Sequence, residues 1–426
     1  MSEIINKVTL GDASELYAKA ALNKSYTVRY AVRLKDNIDF KILENALAKT
    51  QERYKYLCVR MRRNESEYYY EPNNLPIKIF NTDQKIILNA PETNYHVWAV
   101  CYKDDFIYLD FFHGIMDAAG ANFLLSTLLY YYCAALYKIK DHTGIRTLED
   151  KINSDEYADQ LENLDFNLNF NNIKMPQEAF GLPSLKDKDK LFAYNIALPE
   201  DEFVKFSLSS GASPGVMIAL LTARAIDKIY SERDKPIVIV DVINARPMLN
   251  KLNSHHNCLN GAMLVYSDKV KAMPFETQAV AFRGMLILAS DPDRVQFAMT
   301  ASAKNTANLI ANNPSLDAKK KIFLARGLNN LKFFTGTLSY IGKFKFNEIN
   351  NYIKEGWIYV NNNNALNLTI ELTAMGGTMG LALTQRFDET GEFIKKFLAQ
   401  FDEHNINYEV KRVMNELNTA EFREPE

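Results

Sequence analysis

Polar and apolar residues alternate over SYTVRYAVRL (25–34), which predicts a strand. The period then changes. In DFKILENALAKTQERY, Ile42, Leu43, Ala46, Leu47 and Thr50 recur at helical spacing behind Asp39, a fitting N-cap. YLCVRMRR (56–63) and EYYYEP (67–72) read as two short strands around RNES. A second pair, NYHVWAVCY (94–102) and DFIYLDFFH (105–113), is joined so closely by KDD that a hairpin is expected. A helix follows from about Ala119 to Tyr137, with Phe123, Leu124, Leu128 and Tyr131 on one stripe.

The pattern lapses between 140 and 190. This stretch is rich in Asp, Asn, Lys and Glu, has no sustained period, and ends in a segment with two prolines. It reads as a connector crossing the surface with one short helix. The pattern then restarts. KLFAYNIAL (190–198) predicts a strand and DEFVKFSLSS (201–210) a helix. SPGVMIALLTARAIDKIYS (213–231) predicts a long apolar helix, with Ser213 as N-cap and Pro214 at the first helical position. PIVIVDVI (236–243) is a buried strand broken by NARP, GAMLVYS (261–267) another, and 275–328 is mostly helical. Strand signals follow at 333–342, 357–360, 365–374 and 378–387, with Gly376–Gly377 as a hairpin turn, and a helix from 391 closes the pattern. The organisation is thus 1–150, a connector at 151–189, and 190–426, both halves being mixed α/β.

With 426 residues and 47% hydrophobic composition, the chain is too long for one ordinary core, and two domains are expected. The net charge of -2 gives no basic surface for nucleic acid. Cys58, Cys101, Cys133 and Cys258 are far apart, so neither a disulfide framework nor a metal site is expected, and a cytoplasmic setting is the simplest. The N-terminal residues carry no apolar leader, and no uninterrupted apolar run approaches the ~20 residues of a membrane span, so a soluble protein is expected.

The chemistry concentrates in DDFIYLDFFHGIMDAAGANFLLSTLLYYYC (104–133). A strand delivers His113 to its end, Asp117 follows in the turn, and the small residues Ala118, Ala119 and Gly120 open a helix. Histidine ionises near neutrality and suits general-base work, while a strand end keeps its backbone rigid beside a cleft. The plain alternative is a strand-end histidine and a helix N-cap aspartate. A second doublet, His255-His256-Asn257-Cys258-Leu259-Asn260-Gly261, has Asn in the acidic position and follows a loop, so it reads as structural.

The order strand, HxxxD, small residues, amphipathic helix resembles the HHxxxDG signature of the superfamily that includes chloramphenicol acetyltransferase, plant acyltransferases, wax ester synthases, alcohol acetyltransferases and peptide-synthetase condensation domains. VINARP (242–247) resembles the superfamily's N-x-R-P segment, TGTLSYIG (335–342) its S-N-x-G strand, and ELTAMGGTMGLALTQRFD its late hairpin. Two positions depart from the signature: Phe112 stands for its first histidine and Ala118 for its glycine. The tryptophan box of plant members is absent, and Gly356–Trp357 is no substitute for it.

The resemblance implies two chloramphenicol acetyltransferase-like domains related by a pseudo-twofold axis, with a tunnel between them. It implies an acyl-CoA co-substrate, no permanently bound cofactor, a small-molecule acceptor, and a monomer. His113 would be the base and Asp117 would pair with Arg246 to hold the loop. Ser339, or less readily Thr337, would donate to the oxyanion, and Gly120 would let the helix start pack closely near the donor. An acyl carrier protein as donor, in a condensation-type amide synthase, is the alternative enzyme. A non-catalytic binding relative is the alternative outside enzymology.

Overall fold

The computed structural model describes residues 8–20, 27–161, 177–187, 190–344, 346–360 and 366–414. The first half runs α1 (Leu10–Ala20), β1 (Thr27–Leu34), α2 (Phe40–Arg53), β2 (Val59–Arg63), β3 (Tyr68–Pro72), β4 (Ile79–Asn81), β5 (Trp98–Lys103), β6 (Phe106–Phe112) and α3 (Ala118–Tyr137). The second begins β7 (Phe192–Pro199), α4 (Glu200–Ser209), α5 (Pro214–Ile229), β8 (Ile237–Asn244), α6 (Arg246–Leu249), β9 (Leu259–Tyr266) and α7 (Asp268–Lys271). The helices α8 (Phe275–Ala289), α9 (Pro292–Asn312) and α10 (Leu316–Asn330) come next. The chain ends with β10 (Gly336–Lys343), β11 (Ile353–Val360), β12 (Leu368–Met375), β13 (Thr378–Gln385), α11 (Glu392–Glu403) and β14 (Glu409–Met414).

The described residues form three sheets. One has the order β11-β1-β6-β5-β4, a larger one β14-β7-β13-β12-β10-β8-β9, and β2 and β3 form a separate hairpin. The first-half sheet is completed from the second half, because β11 pairs with β1 from Val28↔Val360 to Leu34↔Ile353. The turn between β12 and β13 has Gly376 and Gly377 at φ 60° and 77°, a conformation that glycine adopts without strain. A Cβ on Gly376 would also stand 2.4 Å from the Ile353 carbonyl oxygen.

Each sheet buries one apolar face. Val28, Tyr30, Val32, Leu109 and Phe111 pack with Leu124, Leu128 and Tyr132 of α3. In the larger sheet Ile196, Leu338, Ile370, Leu372 and Leu381 pack against Val216 and Leu220 of α5 and Phe397 of α11. Period-two alternation turns the remaining residues the other way. In the larger sheet these are small or polar: Asn195, Ala197, Thr337, Ser339, Glu371, Thr373 and Ala382. This face meets the smaller sheet, where Ala197 packs with Ala31, Tyr108 and Trp357. Thr373 Oγ1 donates to Gly356 O at 2.7 Å, and Asn195 Nδ2 to the Tyr359 hydroxyl at 2.7 Å.

Four expectations change. The pattern gave no sign of α1 or β14, which lie at the chain's two ends. The connector does not simply cross the surface: its 3₁₀ turn Ser154–Glu156 carries Glu156 inward, and Glu156, Gln160 and Leu161 are buried. A carboxylate tolerates that burial because Arg53 donates to it at 2.9 and 3.0 Å. Residues 162–176 and 188–189 of the connector lie outside the described residues. The buried seam of α3 runs through Ala121, Leu124, Leu125, Leu128, Leu129 and Tyr132, so Phe123 and Tyr131 flank it. This helix is long and apolar enough to cross a membrane, and 56% of its most apolar stretch is buried inside the protein, as in a core helix. Finally, no hydrogen bond from the Ser213 side chain caps α5.

Candidate active site

Strand β6 ends at Phe112, and His113 follows in a tight turn before α3. Such a turn leaves main-chain groups without partners in a strand or helix, and buried ones need partners from elsewhere. Three side chains from distant parts of the chain supply them. Asn257 Nδ2 donates to His113 O at 2.7 Å, the Tyr70 hydroxyl to Gly114 O at 2.9 Å, and the Tyr30 hydroxyl to Ala118 O at 2.8 Å. Asp117 caps α3, its Oδ1 accepting from Gly120 N at 2.8 Å.

Asp117 and Arg246 form a bidentate pair. The guanidinium donates to Asp117 Oδ1 at 2.7 Å and to Oδ2 at 2.9 Å. Both side chains are buried, and Oδ2 also accepts from Cys258 N at 3.0 Å. The remaining Arg246 donors reach Ser254 O, His256 O and Asn244 Oδ1. Burial works against the Arg246 charge, and the Asp117 carboxylate more than offsets it, so the guanidinium pKa is raised. Asp117 is therefore both a helix cap and half of a buried ion pair, and its oxygens are turned to these partners.

The doublet His255-His256 is a scaffold. His255 Nδ1–H donates to Glu156 O at 2.6 Å; burial, then the neighbouring His256 charge, keeps this ring neutral, well below the usual histidine range. His256 faces an acceptor on each ring nitrogen, Asp12 Oδ2 at 2.6 Å and Tyr157 O at 3.1 Å. Two acceptors require two N–H groups, which makes the ring an imidazolium. Burial opposes its charge and Asp12 outweighs burial, so its pKa is raised. Asp12 Oδ1 further accepts from Asn257 N at 3.0 Å and Asn257 Nδ2 at 2.6 Å.

Gly120 packs against this loop. A Cβ there would lie 2.0 Å from His255 O, so the helix start needs glycine to reach residues 255–258. Phe112, in the place of the signature's first histidine, is buried in the apolar core, with its ring so close over Gly114 that a Cβ there would lie 2.4 Å from it. His113 itself is 8% exposed, against 1% for His255 and 3% for His256.

Ser339 lies on β10 beside Glu371 of β12, and its hydroxyl bonds to the Glu371 carboxyl, which burial pushes up to about 8. Tyr30, which holds Ala118 O, feels both the Glu371 and Asp117 carboxylates. Thr337 sits two residues earlier on the same face, half-buried. Among the described residues, cavities lie away from this turn. One of about 470 Å³ lies at Arg63–Glu65 and Ser315–Asp317, another of about 410 Å³ between α2 and residues 76–80. Among the described residues no group of His, Cys, Asp and Glu has metal-site geometry.

Sequence reasoning missed Asp12, Tyr30, Tyr70 and Asn257. Tyrosines are common throughout the chain, Asp12 lies in an unread segment, and Asn257 was visible only inside the discounted doublet motif.

Comparison by sequence finds no matching family and no matching curated protein. Comparison of structures finds many matches. TRI101 of F. graminearum, complexed with coenzyme A and T-2 mycotoxin, matches with TM-score 0.59 and 12% identity, over 95% of this chain and 99% of that one. The condensation domain of the Monacolin K polyketide synthase MokA matches with TM-score 0.59 and 12% identity, over 94% and 96%. The epimerization domain from the third module of tyrocidine synthetase B matches with TM-score 0.61 and 11% identity, over 95% and 96%. Over nearly its whole length, the chain has the fold of the chloramphenicol acetyltransferase-like superfamily of acyltransferases and condensation domains.

Proposed function

We propose that this protein is an acyltransferase that moves an acyl group from coenzyme A to a hydroxyl or amine of a small molecule, with His113 as general base. The observation that carries the reading is the turn 113–118. It presents a histidine at a strand end, and the side chains of Asn257, Tyr30 of β1 and Tyr70 of β3 fix its backbone. Solved structures of the same fold hold coenzyme A together with a small-molecule ligand.

In this reading the neutral ring takes the proton of the acceptor O–H or N–H as that atom attacks the thioester carbonyl. The tetrahedral oxyanion collapses, the C–S bond breaks, and the imidazolium returns the proton to the departing thiolate. Asp117 and Arg246 do not exchange protons; they hold the loop. Ser339 is the proposed oxyanion donor, with Glu371 as its resting partner. No covalent acyl-enzyme is needed, because both substrates meet at one ring. A carrier-protein thioester would serve the same chemistry and marks the condensation variant.

The test is thiol release from acetyl-CoA and longer acyl-CoA donors against a panel of alcohols and amines. Wild-type turnover is expected, with H113A reduced by about 10²–10⁴-fold. Full turnover in H113A would remove the reading. The low exposure of His113 favours a second reading, a binding protein of the same fold. Saturable coenzyme A binding without turnover for any acceptor would select it.

A further inference from the structure

Segment 254–258 is a hub, because each of its residues bonds to a buried charged or catalytic-turn group. Ser254 O and His256 O accept from Arg246, His255 donates to the main chain of Glu156, His256 pairs with Asp12, and Cys258 N donates to Asp117. Only Asn257 reaches the main chain of residue 113 itself. Its amide orientation is fixed. Nδ2 lies 2.7 Å from His113 O and 2.6 Å from Asp12 Oδ1, both acceptors, so this atom must be the NH₂ group with one proton for each. The Asn257 main chain is held by the same Asp12 oxygen at 3.0 Å.

Asp12 is in turn anchored by His256 and by the Thr9 hydroxyl at 2.8 Å. Fully buried ionic groups are an expensive way to hold a fold together, and apolar residues of similar volume often do as well or better. What an ionic group adds is direction. An aspartate with four donors on two oxygens fixes one amide at one angle, and that amide grips the carbonyl from which the His113 side chain's position follows.

We propose that Asn257, oriented by Asp12 of the N-terminal helix, is a positioning residue for His113. It sets where the imidazole stands in the turn and does not touch the reactants. The inference rests on the reading of His113 as the base. It makes α1, which otherwise packs on α9 and α10, part of the catalytic apparatus.

The experiment uses the full chain labelled with ¹³C,¹⁵N-histidine, with the His113 ring signal assigned by its loss in H113Q. N257A is expected to move or split the His113 ring signals. It should lower kcat for thiol release by about 10–100-fold, as a displacement near 1 Å does, with KM for acetyl-CoA within about threefold. D12A should do the same through Asn257, and D12N, which keeps an oxygen acceptor for Asn257, should recover part of kcat. If N257A fails to fold, N257S takes its place. Unchanged His113 signals with kcat within about twofold in a folded variant overturn the proposal. If the wild type releases no thiol with any donor, the acyltransferase reading fails, and the ring signals alone decide whether Asn257 positions His113.

Discussion

The turn at 113–117 and the loop at 254–258 each carry histidine beside a polar residue, and they use it in opposite ways. In the loop, side chains do the bonding: His256 has acceptors on both ring nitrogens, and His255 donates to Glu156 O. In the turn, the main chain does it: the carbonyls of His113, Gly114 and Ala118 are gripped from outside. His256, with an acceptor on each ring nitrogen, has no nitrogen left to take a proton from a substrate. A motif search that weighs residue letters alone would rank the doublet, which has both histidines of the signature, above the turn.

The sharpest way to break this contrast is a pair of variants. H113Q should lose acyl transfer by about 10²–10⁴-fold with little change in denaturation midpoint, whereas H256Q should show its main effect in stability. Equal stability losses would erase the distinction. Next, R246M leaves Asp117 buried without its cation and should cost about 3–5 kcal/mol in chemical denaturation. H256Q should cost about 1–3 kcal/mol at pH 6. The sign of its pH dependence follows from a folded pKa raised above the unfolded value. The stabilisation is complete below the unfolded value near 6.5 and fades as pH rises through the folded one, so the gap to wild type should close on the alkaline side.

G120A presses a methyl group against His255 O and should cost about 1–3 kcal/mol, read from thermal melting. E371Q acts in the opposite direction, toward stability. Burial raises the Glu371 carboxyl to about 8 from 4.5, so the folded state holds a proton that the unfolded chain has lost, and wild-type stability declines from pH 5 to 8. E371Q should lie within about 1 kcal/mol of wild type at pH 5 and exceed it by roughly 4 kcal/mol at pH 8.

Most strands and helices were legible because their apolar spacing matches the face they bury. Leu43, Ala46, Leu47 and Thr50 are the buried stripe of α2, and Asp39 caps it through Ile42 N. The pairing of Asp117 with Arg246 was legible through the resemblance of VINARP to the N-x-R-P segment, and the ion pair forms. What stayed hidden is contact between distant segments. Nothing local in Asp12 announces a partner at His256, since an aspartate in a first helical turn is favourable for its own sake. The placement of β11 was equally silent, because WIYV reads the same whichever sheet receives it. Ser339 and Glu371 show the limit of period-two reasoning. Alternation gives the face, and the hydroxyl's partner depends on parallel register with a strand about thirty residues away.

The pairing of Val28 with Val360 bears on biosynthesis. Until β11 leaves the ribosome, β1 has only β6 beside it, and its other edge waits with unsatisfied amides. Assembly of the earliest-made sheet is thus deferred until most of the polypeptide exists, a long-range closure of the kind that slows folding and invites chaperone capture. Fragments that stop short of residue 353 should accumulate as aggregates even though they contain the whole signature.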